Sequence, residues 1–478
     1  MTLLWIVLFL ILIFILFLVI RTMRFKPRKE EAVFDLPVDF DENSAIEHFA
    51  DMIRIPTISY TDFSLEKDEE FFRFQNYLEK QYPLIHRHGT RRLIGRRGIL
   101  YHIPGKSSEK TTVLMSHYDV VPVDEAAWSH PPFAGDIEEG MLWGRGTLDT
   151  KGTLCAVVES VEHMLKQNFV PKNDLYLSFS GEEETHGDSC PDIVDYFRQN
   201  KITPAFVLDE GGAIVEGLFP GISKPFAVIG VGEKGMMDVN FSLKSAGGHA
   251  SAPPAHSNVG RLAKAICAIE KHPFPLEITS PVAGMFDTLG RHASFAMRLF
   301  FANINIFRPL LDRITRKNSG ELNAMLRTTT ALTKMEGSDA FNVLPPKASF
   351  GVNVRYLSTQ NQKSILEHYR RIIQDDEIQM KVLFDTGACP DSDFHSDGFK
   401  KIKTSIFQTW GDVLVTPYLM MAGSDSRHFS QICPHVYRFS AMMMSAEDRK
   451  RIHGNDERIS LEEWKRTVAF YIRLVQNC

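Results

Sequence analysis

Five short segments carry histidine and carboxylate side chains in a fixed order along the chain: SHYDVVP, WGRGTLDTKG, GEEE, LDEGG and IHGNDE. At the ends of apolar runs they hold two imidazoles and three carboxylates, namely His117, Asp149, Glu184, Asp209 and His453. This mixture of nitrogen and oxygen ligands is typical of zinc-type divalent ions. A catalytic zinc takes about three protein ligands plus a water, so five side chains serve two ions if one carboxylate bridges them. The set predicts a metallohydrolase with two Zn²⁺ per chain, bridged by Asp149, for which Co²⁺ or Mn²⁺ can substitute.

One further glutamate, Glu183, directly precedes a predicted ligand and has no metal role in this scheme. Metal-assisted hydrolysis needs a group that takes the proton of the attacking water, so we predict Glu183 as the general base. Each motif alone has a simpler interpretation, because a His-x-Asp pair is often a surface or core pair and GEEE is often a solvated acidic turn. The hydrolase interpretation depends on all five motifs occurring together. In VLMSHYDVV and VLDEGG, apolar strand residues run into polar groups, which places those groups at strand ends.

The order and context of these segments resemble the di-zinc aminoacylase and carboxypeptidase family, which includes glutamate carboxypeptidase, succinyl-diaminopimelate desuccinylase and carnosinase. The match runs from about residue 45 to the end of the chain. The resemblance implies the following roles: one zinc on His117 and Asp209, the other on Glu184 and His453, Asp149 as the bridge, Glu183 as the base, and Asp119 as the carboxylate that fixes the tautomer of His117.

A narrower resemblance lies in the segments NAMLRTTTALTKMEGSDAFNVLPPKASFGVNVRY, GSDSRHF and YRFS. They are similar to the carboxypeptidase S branch, which contains vacuolar carboxypeptidases and secreted N-acyl-amino-acid hydrolases. The implied reaction cleaves the amide bond of a small peptide or an N-acyl amino acid and releases a free amino acid. Two residues depart from the family pattern: Glu182 stands where Asp is usual, and His186 stands where a small residue is common. Both residues flank the predicted base Glu183 and therefore bear on its pKa.

Four polar residues outside the metal motifs are candidates for substrate contact. His249, in AGGHASAP, corresponds by resemblance to a histidine that stabilises the oxyanion, often in the active site of the partner subunit, which implies a homodimer through the lid. Asn342 in FNVLPP, Arg355 in NVRY and Arg427 in GSDSRHF suggest groups that hold a substrate carboxylate or carbonyl oxygen. Without the family, His249 is an ordinary loop histidine, Asn342 a structural cap and Arg355 a surface charge on a strand.

The elements that position these residues alternate between helices and strands. AIEHFADMIRI has helical spacing, while TTVLMSH and DLYLSFS are typical of buried strands. The alternation predicts an α/β fold, in which a catalytic domain with a mixed, mostly parallel sheet flanked by helices comprises residues 44–232 and 388–478. Residues 233–387 contain MDVNFSL, SFGVNVRY, IQMKVLF and two helical stretches. They resemble the family's inserted, smaller α+β lid domain with a four-stranded sheet and two helices.

The N-terminus holds an uninterrupted apolar run of 18 residues from Leu3 to Ile20. At about 1.5 Å per residue the run spans roughly 27 Å, close to the thickness of a bilayer core. We predict a membrane anchor over residues 1–22 and a linker over residues 23–43. A cleaved signal peptide is the alternative, although no basic residue precedes the run and no small-residue cleavage site follows it. The positive-inside rule predicts a cytoplasmic catalytic domain from the basic residues that follow: Arg21, Arg24, Lys26, Arg28 and Lys29.

Composition excludes some classes and leaves others open. A net charge of -5 without a basic aromatic pattern argues against a nucleic-acid partner. Six cysteines without paired spacing are typical of free thiols in a reducing compartment. Two rivals remain, a non-catalytic membrane-bound binding protein on the same scaffold and a dipeptidase or desuccinylase of the same fold.

One stretch, residues 273–334, shows no clear separation between an apolar and a polar face. Its segment ASFAMRLFFANINIFRPLLDRI is apolar on more than one face. Buried packing is one interpretation. The other is a hydrophobic lining, or a surface that touches a membrane, for a long acyl group.

Overall fold

The computed structural model describes residues 2–28, 37–217, 219, 221–318 and 320–478. Met1 of the predicted anchor, residues 29–36 of the predicted linker with the basic residue Lys29, and Ser319 of the apolar stretch lie outside the described residues. The helices are α1 (Thr2–Arg24), α2 (Glu42–Ile53), α3 (Asp68–Gln81), α4 (Pro83–His88), α5 (Lys151–Lys166), α6 (Ser189–Gln199), α7 (Asn258–Lys271), α8 (Ser280–His292), α9 (Phe295–Ala302), α10 (Ile304–Asn318), α11 (Gly320–Leu326), α12 (Gln362–Ile373), α13 (Asp397–Trp410), α14 (Ser426–Phe429), α15 (Ala446–Arg451) and α16 (Leu461–Asn477). The strands are β1 (Thr90–Ile94), β2 (Gly98–Ile103), β3 (Thr112–His117), β4 (Ile137–Glu138), β5 (Met141–Trp143), β6 (Leu175–Ser180), β7 (Phe206–Val215), β8 (Phe226–Glu233), β9 (Gly235–Lys244), β10 (Gly248–His249), β11 (Thr329–Glu336), β12 (Val343–Leu344), β13 (Lys347–Tyr356), β14 (Gln379–Asp385), β15 (Leu414–Met420), β16 (Val436–Met444) and β17 (Arg458–Ser460).

A large mixed sheet with strand order β1-β2-β6-β3-β7-β16-β8-β15 forms the centre of the molecule. Its middle strands β6, β3, β7 and β16 run parallel. Strands β3 and β6 are buried along their whole length, because helices cover both faces, and this explains their near-continuous apolar sequences. Helices α5 and α16 lie on one face and α6 lies on the other. This is the α/β fold class that the sequence predicts.

A smaller antiparallel sheet, with strand order β11-β13-β9-β14, has a separate hydrophobic core. From Gly235 to Leu243, strand β9 alternates between buried and half-buried residues, as expected when only one face of a sheet is covered. Helices α7 and α12 cover that face, and the rings of Phe241 and Phe350 stack within it at 4.5 Å between centroids. The smaller sheet with two helices is consistent with the predicted lid.

Helices α8 to α11 interrupt the lid in sequence but pack elsewhere. Their apolar residues, including Val282, Leu289 and Phe301, belong to the core of the large sheet, and α8 packs against β15. The apolar stretch 273–334 is therefore divided in space, since β11 lies in the small sheet while the preceding helices extend the large domain.

Helix α1 is long and apolar enough to cross a membrane, a criterion that a signal sequence also meets. Its side chains are exposed apart from a few near its C-terminal end, where Leu18 and Thr22 are buried. The buried amide of Asn303, between α9 and α10, donates to Leu18 O at 3.3 Å and to Thr22 Oγ1 at 3.4 Å. These contacts attach the end of α1 to the large domain.

Candidate metal centre and active site

The predicted metal motifs meet at one edge of the large sheet. His117 is the last residue of β3, the GEEE segment follows β6 directly, and LDEGG lies within the adjacent β7. These three strands are parallel neighbours, so their carboxyl ends share an edge, which is where sites form in open α/β sheets. Asp149 reaches the same place from the loop before α5, and His453 does so from the loop after α15.

The structure brings four of the five predicted ligands into one cluster. His117 Nε2 lies 3.1 Å from Asp149 Oδ1. His453 Nε2 lies 3.1 Å from Asp149 Oδ2 and 3.1 Å from Glu184 Oε2. The two oxygens of Asp149 thus face different imidazoles, which is the arrangement that a bridging carboxylate requires.

The fifth predicted ligand, Asp209, does not face His117, whereas its neighbour Glu210 does. Glu210 Oε1 lies 3.4 Å from His117 Nε2. Asp209 is buried and its Oδ2 accepts a hydrogen bond from the Ser426 N–H at 3.0 Å. Successive side chains of a strand point to opposite faces, so only one of the two carboxylates can point to the cluster. The geometry therefore assigns to Glu210 the position that the sequence predicts for Asp209.

Glu183 also lies beside the cluster, where a base is expected. The ligand atoms of His117, Glu183 and Glu210 all lie within 4.8 Å of one another. Burial, followed by the charges of Glu210, Asp425 and Glu184, raises the pKa of Glu183 well above its usual value, although His117 opposes this.

Asp119 contacts His117 on the side of the ring away from the cluster, as predicted for a carboxylate that orients a histidine ligand. Its Oδ1 lies 3.4 Å from His117 Nδ1, and its backbone carbonyl lies 3.0 Å from the same nitrogen. Its two carboxylate oxygens also accept the N–H groups of Glu183 at 3.2 Å and Glu184 at 3.1 Å. The Asp119 carbonyl oxygen can only accept, so it holds the proton of His117 on Nδ1 and leaves Nε2 free, while the fully buried Asp119 carboxylate positions the loop that carries the predicted base.

Glu457 is a site residue that the sequence reasoning missed. It is fully buried, and its Oε1 accepts hydrogen bonds from the N–H groups of Gly146, Leu148 and Asp149 at 3.1, 2.7 and 3.1 Å. Its Oε2 pairs with Arg145 Nη1 at 2.7 Å. Glu457 therefore shapes the loop that presents Asp149. Its place as the last residue of the IHGNDE motif is the signal that could have identified it.

The electrostatics of the cluster fit bound cations. Burial raises the pKa of Glu184, and burial together with Asp149 raises the pKa of Glu210 to about 8. Hydrogen bonds to Asp149 and Glu184 raise the pKa of His453 to about 10. Glu184 Oε1 is buried without a hydrogen-bond partner among the described residues. Closely spaced carboxylates with an unsatisfied buried oxygen are stabilised by divalent cations, so the donor set fits a metal centre.

Two predicted substrate residues, Arg355 of the lid and Arg427 of the catalytic domain, approach each other near the site. Arg427 Nη2 donates to His186 Nδ1 at 3.1 Å. Burial lowers the pKa of His186, and the charges of Arg427 and Arg355 lower it further, so both guanidinium groups lie close to this ring. Glu233 pairs with Arg438 at 3.1 Å and lies 3.9 Å from Arg427, so its single negative charge neutralises only part of the positive charge of these arginines. The surplus positive charge suits a carboxylate.

The two other candidates, His249 and Asn342, lie together at an exposed end of the lid. His249 pairs with Val343 in the β10–β12 ribbon, and the backbone carbonyl of Asn342 accepts from Ala250 N at 3.0 Å. His249 Nδ1 lies 2.7 Å from Ser251 Oγ. Among the described residues, neither side chain forms a hydrogen bond or ion pair with the carboxylate cluster.

An apolar cavity of about 730 Å³ lies beside the cluster. Its wall includes Gly211 and Gly212, which follow Glu210 directly, and Ile452, which precedes His453. A Cβ on Gly212 would lie 1.9 Å from Val228 O, so this part of the wall requires glycine. Helices α8 to α11 supply most of the remaining wall, which is apolar except for Glu321 and Arg449. The helices of the apolar stretch 273–334 are thus both packed core and cavity lining.

The fold and this site define a metallohydrolase of the α/β class, and residues 113–477 match the peptidase family M20/M25/M40, so the chain belongs to that family. It is 34% identical over 479 residues to a probable carboxypeptidase S-like 2 of Dictyostelium discoideum, covering 97% of this chain and 92% of the relative. It is 31% identical over 469 residues to the human N-fatty-acyl-amino acid synthase/hydrolase PM20D1, covering 96% of this chain and 93% of that protein.

Solved structures agree with the fold. The M20 family metallo-carboxypeptidase Sso-CP2 of Sulfolobus solfataricus superimposes with a TM-score of 0.65 at 18% identity, over 91% of this chain and 99% of that one. The chain is therefore a hydrolase of the M20 metallopeptidase family, and the predicted family and enzyme class are confirmed.

Proposed function

We propose that this hydrolase releases a free amino acid from N-acyl amino acids that carry a long apolar acyl chain. The observation that carries the proposal is the apolar cavity of about 730 Å³ that begins at the residues next to Glu210 and His453. This volume lies within the range of about 300–1,000 Å³ that is usual for small-molecule sites. A dipeptide has no apolar chain of comparable size to place there. The similarity to the human N-fatty-acyl-amino acid synthase/hydrolase supports the same substrate class.

The ligand assignment follows the cluster geometry. Two Zn²⁺ ions would be held by His117 with Glu210 and by His453 with Glu184, with Asp149 shared between them. When bound, such a pair supplies a water of lowered pKa and polarises the carbonyl of the scissile amide. Asp119 keeps the His117 ring in the tautomer that leaves Nε2 free, and Glu457 holds the loop of Asp149.

The proton transfers fall to Glu183. It accepts the proton of the attacking water and passes it to the nitrogen of the leaving amino acid, so the same carboxylate acts first as base and then as acid. Burial raises its pKa above the usual glutamate value, which is the direction that helps a carboxylate to hold a proton between the two transfers. We assign oxyanion stabilisation to His249, supplied across a homodimer formed through the lid, because within one chain this residue is exposed and bonded only locally.

The other end of the substrate is the carboxylate of the amino acid. Arg427 and Arg355 would hold it between catalytic domain and lid, since a planar guanidinium matches a carboxylate in two hydrogen bonds. Asn342 would add a contact to the substrate carbonyl when the lid closes. The proposal thus gives the substrate three fixed points, which are the acyl chain in the cavity, the amide at the metal centre and the carboxylate between two arginines.

We further propose that α1 anchors the enzyme in a membrane with the catalytic domain on the cytoplasmic side. The basic residues after the apolar run support this orientation. All six cysteines are free and five of them are buried, which agrees with a reducing compartment.

The experiment that tests the function uses the full-length chain purified in detergent. Bound metal is measured by elemental analysis, and amino-acid release is measured from N-acetyl and N-hexadecanoyl amino acids and from blocked dipeptides, with and without chelator. We expect close to two zinc ions per chain and chelator-sensitive release that is fastest from the long-chain substrates. Faster cleavage of dipeptides would replace the proposed substrate class with a dipeptidase. Folded protein without metal or release would favour a binding protein.

A further inference from the structure

The helices that line the acyl cavity also contact the predicted membrane anchor. Met297, Phe300 and Phe301 of α9 face the cavity, while Asn303, at the end of the same helix, bonds to Leu18 and Thr22 of α1. Helix α8 is shared in the same way, because its Phe286 lines the cavity while Asp287 and Arg291 contact the segment after α1. One helical layer therefore separates the cavity from the anchor.

Three contacts join the segment after α1 to α8. Arg28 forms an ion pair with Asp287 at 2.9 Å, and Arg291 Nη1 donates to Lys26 O at 3.0 Å. The Arg291 guanidinium also lies over the ring of Phe25 at 4.4 Å. The segment after the anchor thus lies along α8 and in contact with the large domain.

The contact with Asn303 sets the height of the domain relative to a bilayer. Leu18 and Thr22 lie where the apolar run of α1 ends, so in a spanning helix they would lie close to the boundary between acyl chains and headgroups. Asn303 is held at this boundary, and α10 begins at the next residue. Helix α10 must therefore start at the membrane surface.

Helix α10 presents an apolar stripe on its exposed face. Ile306, Leu310 and Ile314 are spaced by four residues and are 39%, 47% and 43% exposed. Arg313 and Lys317 lie on the same face of the helix and are also exposed. The opposite face, with Leu311 and Thr315, is buried. An apolar stripe with basic residues whose long side chains can reach upward is the pattern of a helix that lies in a membrane interface.

The stripe leads to the cavity, because Ile314 belongs to both: it is exposed on α10 and it lines the cavity wall. We infer that α10 rests on an anionic bilayer surface and that the acyl chain of the substrate enters the cavity sideways from the bilayer, past Ile314, without passing through water. This inference rests on the proposed function, and it adds the source of the substrate and the membrane as a partner of the site. Lateral entry avoids exposing the apolar chain to water, a cost that grows with every methylene group.

The test uses the full-length enzyme reconstituted into vesicles of phosphatidylcholine and phosphatidylserine that contain an N-hexadecanoyl amino acid. Leu310→Glu places a charge on the stripe without touching the metal centre. We expect it to cleave the vesicle-borne substrate about tenfold or more slowly than the wild type, because a buried carboxylate opposes interfacial binding. Cleavage of the water-soluble N-acetyl substrate should stay unchanged. Leu93→Glu is the matched control, since Leu93 is 53% exposed on the edge strand β1, and it should leave both activities unchanged.

The outcomes separate the inference from the function on which it rests. If Leu310→Glu and Leu93→Glu cleave the vesicle-borne substrate equally well, lateral entry is refuted, whereas the acylase function stands. If the wild type cleaves neither substrate in detergent or in vesicles, the proposed function fails first. Should Leu310→Glu also lose the N-acetyl activity through misfolding, Ile306→Glu, one turn further from the cavity, gives the same test.

Discussion

Truncation of Phe300 tests the acyl cavity directly. The Phe300 ring lines the cavity and is half-buried, and it lies 5.5 Å from the rings of both Phe301 and Phe307. Phe300→Ala removes this part of the wall but no metal ligand and no main-chain contact. The variant should therefore affect substrates according to how far they reach into the cavity.

The expected magnitude follows from the apolar area in contact. An aromatic side chain has roughly 150–250 Å² of surface, and an acyl chain along one face of the ring covers about 60 Å² of it and as much of its own surface. At about 25 cal/mol per Å², loss of this contact costs about 1.5–3 kcal/mol. That corresponds to at least about a tenfold lower kcat/KM for a long-chain substrate. An acetyl group does not reach Phe300, so its kcat/KM should change by less than about twofold.

The assay compares kcat/KM for the N-hexadecanoyl and N-acetyl forms of the same amino acid. Phe72→Ala is the matched control, because Phe72 is 58% exposed on α3 and is not part of the cavity wall. Unchanged N-acetyl activity in Phe300→Ala shows that the variant is folded. Equal losses on both substrates, or no loss on either, would refute the cavity as the acyl site.

The remaining predictions concern the metal centre, the substrate carboxylate and a buried lysine. Glu183→Gln should keep its metal and lose about 10²–10⁴-fold in kcat, measured by elemental analysis and amino-acid release, and near-normal turnover would remove Glu183 from the role of base. Glu210→Gln should lower the bound metal below two ions per chain, whereas Asp209→Asn, whose amide oxygen can still accept from Ser426, should keep it, and the reverse pattern would restore the ligand predicted from sequence. Arg355→Gln should raise KM about tenfold or more for the free-acid substrate but not for its carboxamide analogue, and equal changes would separate this residue from the carboxylate. Burial lowers the pKa of Lys234 to about 7, so between pH 7 and the ordinary lysine pKa the folded protein holds fewer protons than the unfolded one. Unfolding titrations in this pH window should therefore show the stability of the wild type rising with pH relative to Lys234→Met. A stability difference that stays constant with pH would contradict this prediction.

Much of this enzyme was readable from sequence because its strongest signals are local. Strands β3 and β6 are covered on both faces, so their residues form apolar runs, and the polar groups that follow must lie at the sheet edge. His117, Asp149, Glu184 and His453 could be predicted to share one site because their chemistry is rare at the ends of such runs, and the structure brings them together. The lid sheet was visible for a similar reason, since one covered face makes strand residues alternate.

What the sequence could not decide depends on direction and on distant contacts. The LDEGG segment offers two adjacent carboxylates, and only the register of β7 against its neighbours turns Glu210 rather than Asp209 toward His117. Glu457 acts on residues about three hundred positions away, a link that no local pattern contains. The apolar stretch 273–334 allows both buried packing and a hydrophobic lining or membrane-touching surface in sequence, because packing residues and cavity-lining residues are chemically alike. The sequence by itself determined the family and the enzyme class and supplied the candidate residues of the site. Only the tertiary structure decided which carboxylate of LDEGG faces His117 and where the apolar helices leave space, because both depend on side chains brought together from separate elements.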